Sequence, residues 1–188
     1  MKTTLFIVAH PHFNESVTTQ HITQFLQSTS EAANGIISIR MLSELYPDGK
    51  IDVAEEQKAL LEAENVVLLF PFYWYNVPAI LKLWMDEVLE YGFAYGKTGD
   101  KLKGKNLILS LSTGGPEEAY QPGGRNNNYI ADYLLPMKQT AFLTGMNFLE
   151  PLVSYGMVNI KGIDIDKAPV IEKAKAHALK LYKILQAL

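Results

Sequence analysis

The chain has 188 residues, 48% of them hydrophobic and 20% charged, with a formal net charge of -3. That is enough for one domain, spanning 1–188, with a real hydrophobic core, and it lacks the basic excess that nucleic-acid binding needs. With no cysteine, disulfides, thiolate nucleophiles and cysteine metal sites are all excluded.

"LFIVA", Leu5 to Ala9, is rich in branched residues and suits a strand buried on both faces. It is too short for a signal peptide, and no later run approaches a transmembrane helix, so the chain is expected to be cytoplasmic. Ser16 to Ser28 reads as a helix and "GIISIR", Gly35 to Arg40, as the next strand. After the turn "YPDGKID", Asp52 and Glu55 have the spacing of a capping box, which predicts a helix from Val53 to Glu64. "NVVLLF" follows as a third strand, ending in the aromatic connection Phe72, Tyr73, Trp74 and Tyr75 between Pro71 and Pro78.

Pro78 suits the first turn of a helix running to about Tyr91, because the donor it lacks would be unpaired there. Ile80, Leu81, Leu83, Trp84, Met85, Val88 and Leu89 make that helix apolar around most of its circumference, so one side should meet the sheet and another a second subunit. Lys105 to Gly115 is a fourth strand entering a glycine turn, Tyr129 to Gly145 a helix interrupted at Pro136, and Phe148 to Ser154 a fifth strand. In the last helix, after Asp166, Val170, Ala174, Ala178, Leu181 and Leu185 form one apolar stripe. Strands alternating with helices predict a parallel sheet covered on both faces, with ligands at the carboxyl ends of the strands where chain order reverses.

Three loops fall at such ends. In "HPHFNES", Ser16 and Thr18 at a helix start can hold a phosphate, with His10 adding a hydrogen bond or a charge; a serine that merely caps the helix explains the same residues. His10 and His12 lack the further ligands a metal would need, so no metal site is expected. In "PFYWYN", the aromatics and stiffening prolines suit a planar heterocycle and suit a dimer interface equally well. In "STGGPEEAYQPGGRNNN", Gly114 and Gly115 either admit a ligand to the backbone or simply permit a turn, and no Walker pattern follows. Tyr120 either hydrogen-bonds a ligand carbonyl or packs. All three loops agree with a flavin nucleotide: phosphate at the first, ring between the second and third.

"AHP" with a downstream "SVT", then "FPFYWYNVPAILKLWMDEV", "FAYG", "STGG" and "AFLTGMNFLEPLVSYG", resemble the NAD(P)H:quinone oxidoreductase family of flavodoxin-like proteins. The resemblance is greatest to the short bacterial branch of general stress proteins and ancillary subunits of glutathione-gated potassium efflux systems, and "LYPDGKIDVAEEQ" adds to the latter. It implies an α/β three-layer sandwich, a five-stranded sheet in the order 2-1-3-4-5, and a homodimer whose active sites include both subunits. It implies His10, Ser16, Val17 and Thr18 on the flavin phosphate, and Pro71, Phe72, Tyr73, Trp74 and Tyr75 along the ring and ribityl chain. Ser112, Thr113, Gly114 and Gly115 would form the opposing loop.

Two positions depart from the family. Thr18 stands where many relatives have asparagine, and Asn126, beside Arg125, falls at the place of a histidine that works with the tyrosine matching Tyr120 to settle charge on the reduced flavin. Neutral asparagine is no proton donor at physiological pH, whereas arginine stabilises an anion without giving up its proton. The resemblance implies two-electron hydride transfer from NAD(P)H to a quinone or similar acceptor, with FMN the expected flavin and FAD the alternative. Tyr120 and the backbone of Gly114 and Gly115 would stabilise charge. The alternative function is a regulatory subunit docked on a potassium transporter, which would bring it to the membrane only indirectly.

Overall fold

The structure, a computed structural model, describes residues 1–158 and 166–188. In chain order, β1 (Thr4–Val8) leads through a 3-10 turn (Phe13–Glu15) into α1 (Val17–Gln27), followed by α2 (Ser30–Ala33) and β2 (Ile37–Met41). Next come α3 (Leu42–Leu45), α4 (Val53–Glu62), β3 (Asn65–Pro71), α5 (Ala79–Val88) and β4 (Asn106–Ser112). A second 3-10 turn (Glu117–Ala119) precedes α6 (Ile130–Tyr133), α7 (Leu135–Thr144), β5 (Asn147–Phe148), β6 (Leu152–Ser154) and α8 (Ala168–Gln186).

The strands pair in parallel in the order β2-β1-β3-β4-β5, with β6 also on β4, which is the 2-1-3-4-5 order expected from the resemblance. The expected fifth strand is two pieces on one lane. Pro151, between them, has no amide to give the ladder, and pairing resumes at Ser110↔Leu152.

Alternation along the strands sends side chains to two cores. Leu5, Ile7, Val66, Leu68, Phe70, Leu107 and Leu109 pack under α4, α5 and α7, against Leu60, Leu81, Trp84, Val88 and Met137. Phe6, Val8, Val67, Leu69 and Ile108 pack under α1 and α8, against Ile22, Leu26, Ala174, Ala178 and Leu181. Because both faces are covered, only the strand ends are open to ligands.

Local signals set the helix ends. The Asp52 carboxylate accepts the Glu55 N–H at 3.1 Å, opening α4 as the sequence predicts. Pro78 caps α5, which closes at Val88, earlier than Tyr91. The predicted interruption at Pro136 lies instead at Leu134, since proline is tolerated in the first turn of α7 and the break must precede it.

One polar cluster lies inside. Glu56 is fully buried, and its carboxylate accepts hydrogen bonds from Arg40 Nε (2.5 Å), the Tyr46 hydroxyl (2.6 Å) and Trp84 Nε1 (2.8 Å), tying β2, α3, α4 and α5 together.

Candidate active site

The carboxyl ends of β1, β3 and β4 surround a cavity of about 1160 Å³, slightly above the usual range of roughly 300–1,000 Å³ for ligand pockets. His10, Ser16, Val17, Thr18, Pro71, Phe72, Tyr73, Trp74, Ser112, Thr113 and Gly114 all line it. Tyr75, Gly115 and Tyr120 line a second hollow of about 400 Å³ that shares Phe72, Trp74, Gly114 and Val158 with the first. The predicted set therefore divides between two adjoining spaces.

At the first loop, Ser16 caps α1 by accepting the Thr19 N–H at 3.1 Å. Capping leaves the amides of Val17 and Thr18 without a carbonyl to donate to, and they find no partner among the described residues. The Thr18 hydroxyl is buried and likewise unpartnered among the described residues, and the half-buried Ser112 offers a second hydroxyl without a partner among them. A buried polar group without a partner costs stability unless something else satisfies it, and a helix N-terminus favours an anion. These donors fit a phosphate.

The His12 N–H donates to His10 Nδ1 at 3.1 Å, which places the ring proton on Nε2, 3.3 Å from the Tyr73 hydroxyl. Burial, helped by the neighbouring His12, lowers the His10 pKa to about 4. Of the two roles predicted for His10, a hydrogen bond fits this neutral ring and a charge does not.

The second loop is a tight hairpin. Tyr73 and Asn76 exchange both backbone hydrogen bonds (3.1 and 3.0 Å), so Trp74 and Tyr75 occupy the two central turn positions, with φ of +49° and +64°. Such a turn normally takes Asn-Gly, and bulky residues held there cost roughly 1–3 kcal/mol each. Tyr73 is held by His10, Phe72 is buried, and Tyr75 stacks on Tyr133 at 5.2 Å, its hydroxyl donating to Asn126 Oδ1 at 3.3 Å. Trp74 remains 92% exposed and lines both spaces.

The third loop is sewn to the segment after β6: Thr113 N–H donates to Ser154 O, Met157 N–H to Thr113 O and Gly156 N–H to Gly115 O, at 2.8–2.9 Å. A Cβ on Gly115 would lie 3.2 Å from the Tyr120 ring, so this glycine admits tyrosine as well as any ligand. Burial pushes the Tyr120 hydroxyl up from its ordinary pKa, with Thr113 pulling against it. Deeper in the sheet, His177 bridges Ser110 and Ser154 at 2.7 Å each, and burial lowers its pKa to about 4.

Sequence reasoning missed Tyr133, and also Met157, Val158, Lys167 and Ile171, which line the cavity. No local pattern marks them, since folding alone brings them to the strand ends. Among the described residues no group of His, Cys, Asp or Glu stands ready to hold a metal, and no helix is long and apolar enough to cross a membrane.

Known proteins resemble this chain in sequence and fold. An uncharacterized NAD(P)H oxidoreductase of Bacillus subtilis (strain 168), YrkL, is 40% identical over 162 residues, covering 86% of this chain and 90% of that one. A crystal structure of general stress protein 14 from Treponema denticola in complex with FMN superposes with a TM-score of 0.86 at 31% identity, covering 98% of each chain. The structure of an NADPH-quinone reductase from P. pentosaceus gives 0.78 at 29% identity, over 96% of this chain and 97% of that one. The family model described as the flavodoxin-like fold matches residues 2–181, and with that match over almost its whole length the chain belongs to the flavodoxin-like family.

Proposed function

We propose that this protein is a flavin-dependent NAD(P)H dehydrogenase that reduces quinones or related flat acceptors, with FMN as its cofactor. The observation that carries this is the set of donors at the start of α1 with no partner among the described residues, namely the Val17 and Thr18 amides and the buried Thr18 hydroxyl, opening into a cavity lined by the aromatic hairpin. The FMN complex of the T. denticola relative supports the cofactor, and the names of the B. subtilis and P. pentosaceus relatives support the activity.

Bound there, FMN would supply the hydride exchange, so that NAD(P)H, a proton and a quinone become NAD(P)+ and the hydroquinone. Ser16, Val17 and Thr18, with the Nε2–H of His10, would hold the phosphate. Phe72, Tyr73 and Trp74 would wall one side of the cavity and Ser112, Thr113 and Gly114 the other, excluding water from the ring. The amides of Gly114 and Gly115 and the protonated Tyr120 hydroxyl would face developing negative charge, a role of the oxyanion-hole kind. Asn126 accepts from Tyr75 and offers no acidic proton, so Tyr120 has no histidine relay partner at that position. The reading also takes the chain as a homodimer, because Leu135, Phe142 and Leu143 of α7 lie exposed and a second copy would cover them.

The test is flavin retention followed by turnover. After incubation with FMN or FAD and desalting, the protein should keep the visible bands of FMN, and Thr18→Val should weaken FMN about tenfold, as expected for losing a hydrogen bond to a charged group. Initial rates with NAD(P)H and quinone both varied should give parallel double-reciprocal lines. A colourless protein after both incubations would sink the proposal.

A further inference from the structure

The smaller hollow has its own chemistry. It is lined by the aromatic side chains of Phe72, Trp74, Tyr75 and Tyr120 and by Gly114, Gly115 and Pro116. Arg125 also lines it, and among the described residues no acidic side chain does; the neighbouring Glu117 and Glu118 are exposed and not part of its lining.

The loop carrying Arg125 is fixed on both sides. Gly124 lies so close to the backbone oxygens of Glu118 and Ala119 that a Cβ would come within 2.7 Å of each. Asn126 N–H donates to Ala119 O at 2.9 Å, and its carbonyl accepts the Tyr133 hydroxyl at 2.5 Å. The guanidinium itself has no hydrogen-bond or ion-pair partner among the described residues. A well-anchored backbone thus holds an unpaired, permanently charged planar fork beside an aromatic slot.

From this juxtaposition we propose that the hollow seats the electron acceptor and favours aromatic acceptors bearing an acidic group, a sulfonate or carboxylate, which Arg125 binds. The proposal rests on the oxidoreductase reading and names the substrate class of that site. The ring stacks among the aromatics beside the cofactor cavity and the acid group pairs with the guanidinium. The redox step is the one written above, two electrons and two protons to the acceptor, with the acid group unchanged.

The experiment compares 1,4-naphthoquinone-2-sulfonate with 1,4-naphthoquinone on the FMN-loaded protein, in wild type, Arg125→Gln and Arg125→Lys. The kcat/KM ratio of sulfonated to neutral quinone should fall about tenfold in Arg125→Gln, the lower end for a bond to a charged group because Arg125 is exposed, and be largely kept in Arg125→Lys. Binding to the oxidised protein without NAD(P)H gives an independent reading. Trp84 is buried and Trp74 lines the hollow, so quenching of indole fluorescence reports occupancy there, and the Kd for the sulfonate should weaken by a similar factor. An unchanged ratio and Kd in Arg125→Gln would overturn the proposal. So would a rise confined to the KM for NAD(P)H, which would assign Arg125 to the nucleotide's phosphates. If wild type reduced neither quinone, the oxidoreductase reading would fail, and the binding measurement would still decide this one.

Discussion

Two polar regions of the molecule are built on opposite principles. Around Glu56 both carboxylate oxygens are matched: Arg40 and Tyr46 on one, Trp84 on the other. Around Thr18 a buried hydroxyl and two amides go unmatched among the described residues, and two aromatic residues are held in a strained turn nearby. A fully paired buried network joins elements to one another, whereas donors left open in a cavity are there for something that arrives later.

The largest test of that contrast is Glu56→Ala. It strands three buried or half-buried donors at once and should cost about 3 kcal/mol in urea unfolding, the lower end for breaking a buried pair because Arg40 keeps some access to water. FMN affinity should change little. An equal loss of both would erase the distinction between the two regions.

The two buried histidines sharpen it. His10 and His177 are both held neutral, with pKa values near 4 against 6.5 in the unfolded chain. Between those values the unfolded state binds the extra proton, so stability rises with pH and is lost as pH falls from 6.5 toward 4. The slope is at most about 1.4 kcal/mol per pH unit for each histidine. Urea midpoints at pH 7 and pH 5 should show the loss, and FMN should flatten it for His10 alone, since His177 lies among serines away from the cavity. A midpoint independent of pH would contradict the burial of both rings.

The smallest effect is at the hairpin. Trp74→Gly removes a bulky side chain at φ +49° that is 92% exposed, and should raise the unfolding free energy by about 1 kcal/mol while weakening FMN retention. Loss of stability would mean that Trp74 packs against something in the folded protein after all.

Much of the frame was legible in the chain itself. "LFIVA" and "NVVLLF" announce doubly buried strands because every residue in them except Asn65 is apolar, and Asp52 and Pro78 mark helix starts through backbone groups only a few residues away. The site was legible as three loops, and the cavity brings residues from each together. The left-handed turn at Trp74-Tyr75 was not, because its residues are poor formers of such a turn and only the pairing of Tyr73 with Asn76 holds them there. Nor was Glu56, which in "VAEEQKALLEAE" looks like any solvent-facing helix residue.

The alternation of strands and helices, the helix starts and the three unusual loops each follow from periodicity or from chemistry within a few residues, so the chain's order of residues is enough to specify them. Folding alone brings Tyr75 and Tyr120 to a separate hollow, leaves Arg125 in its lining without a partner among the described residues, and keeps His10 neutral. These depend on which distant groups fold close enough to take up, or leave open, each hydrogen bond and charge.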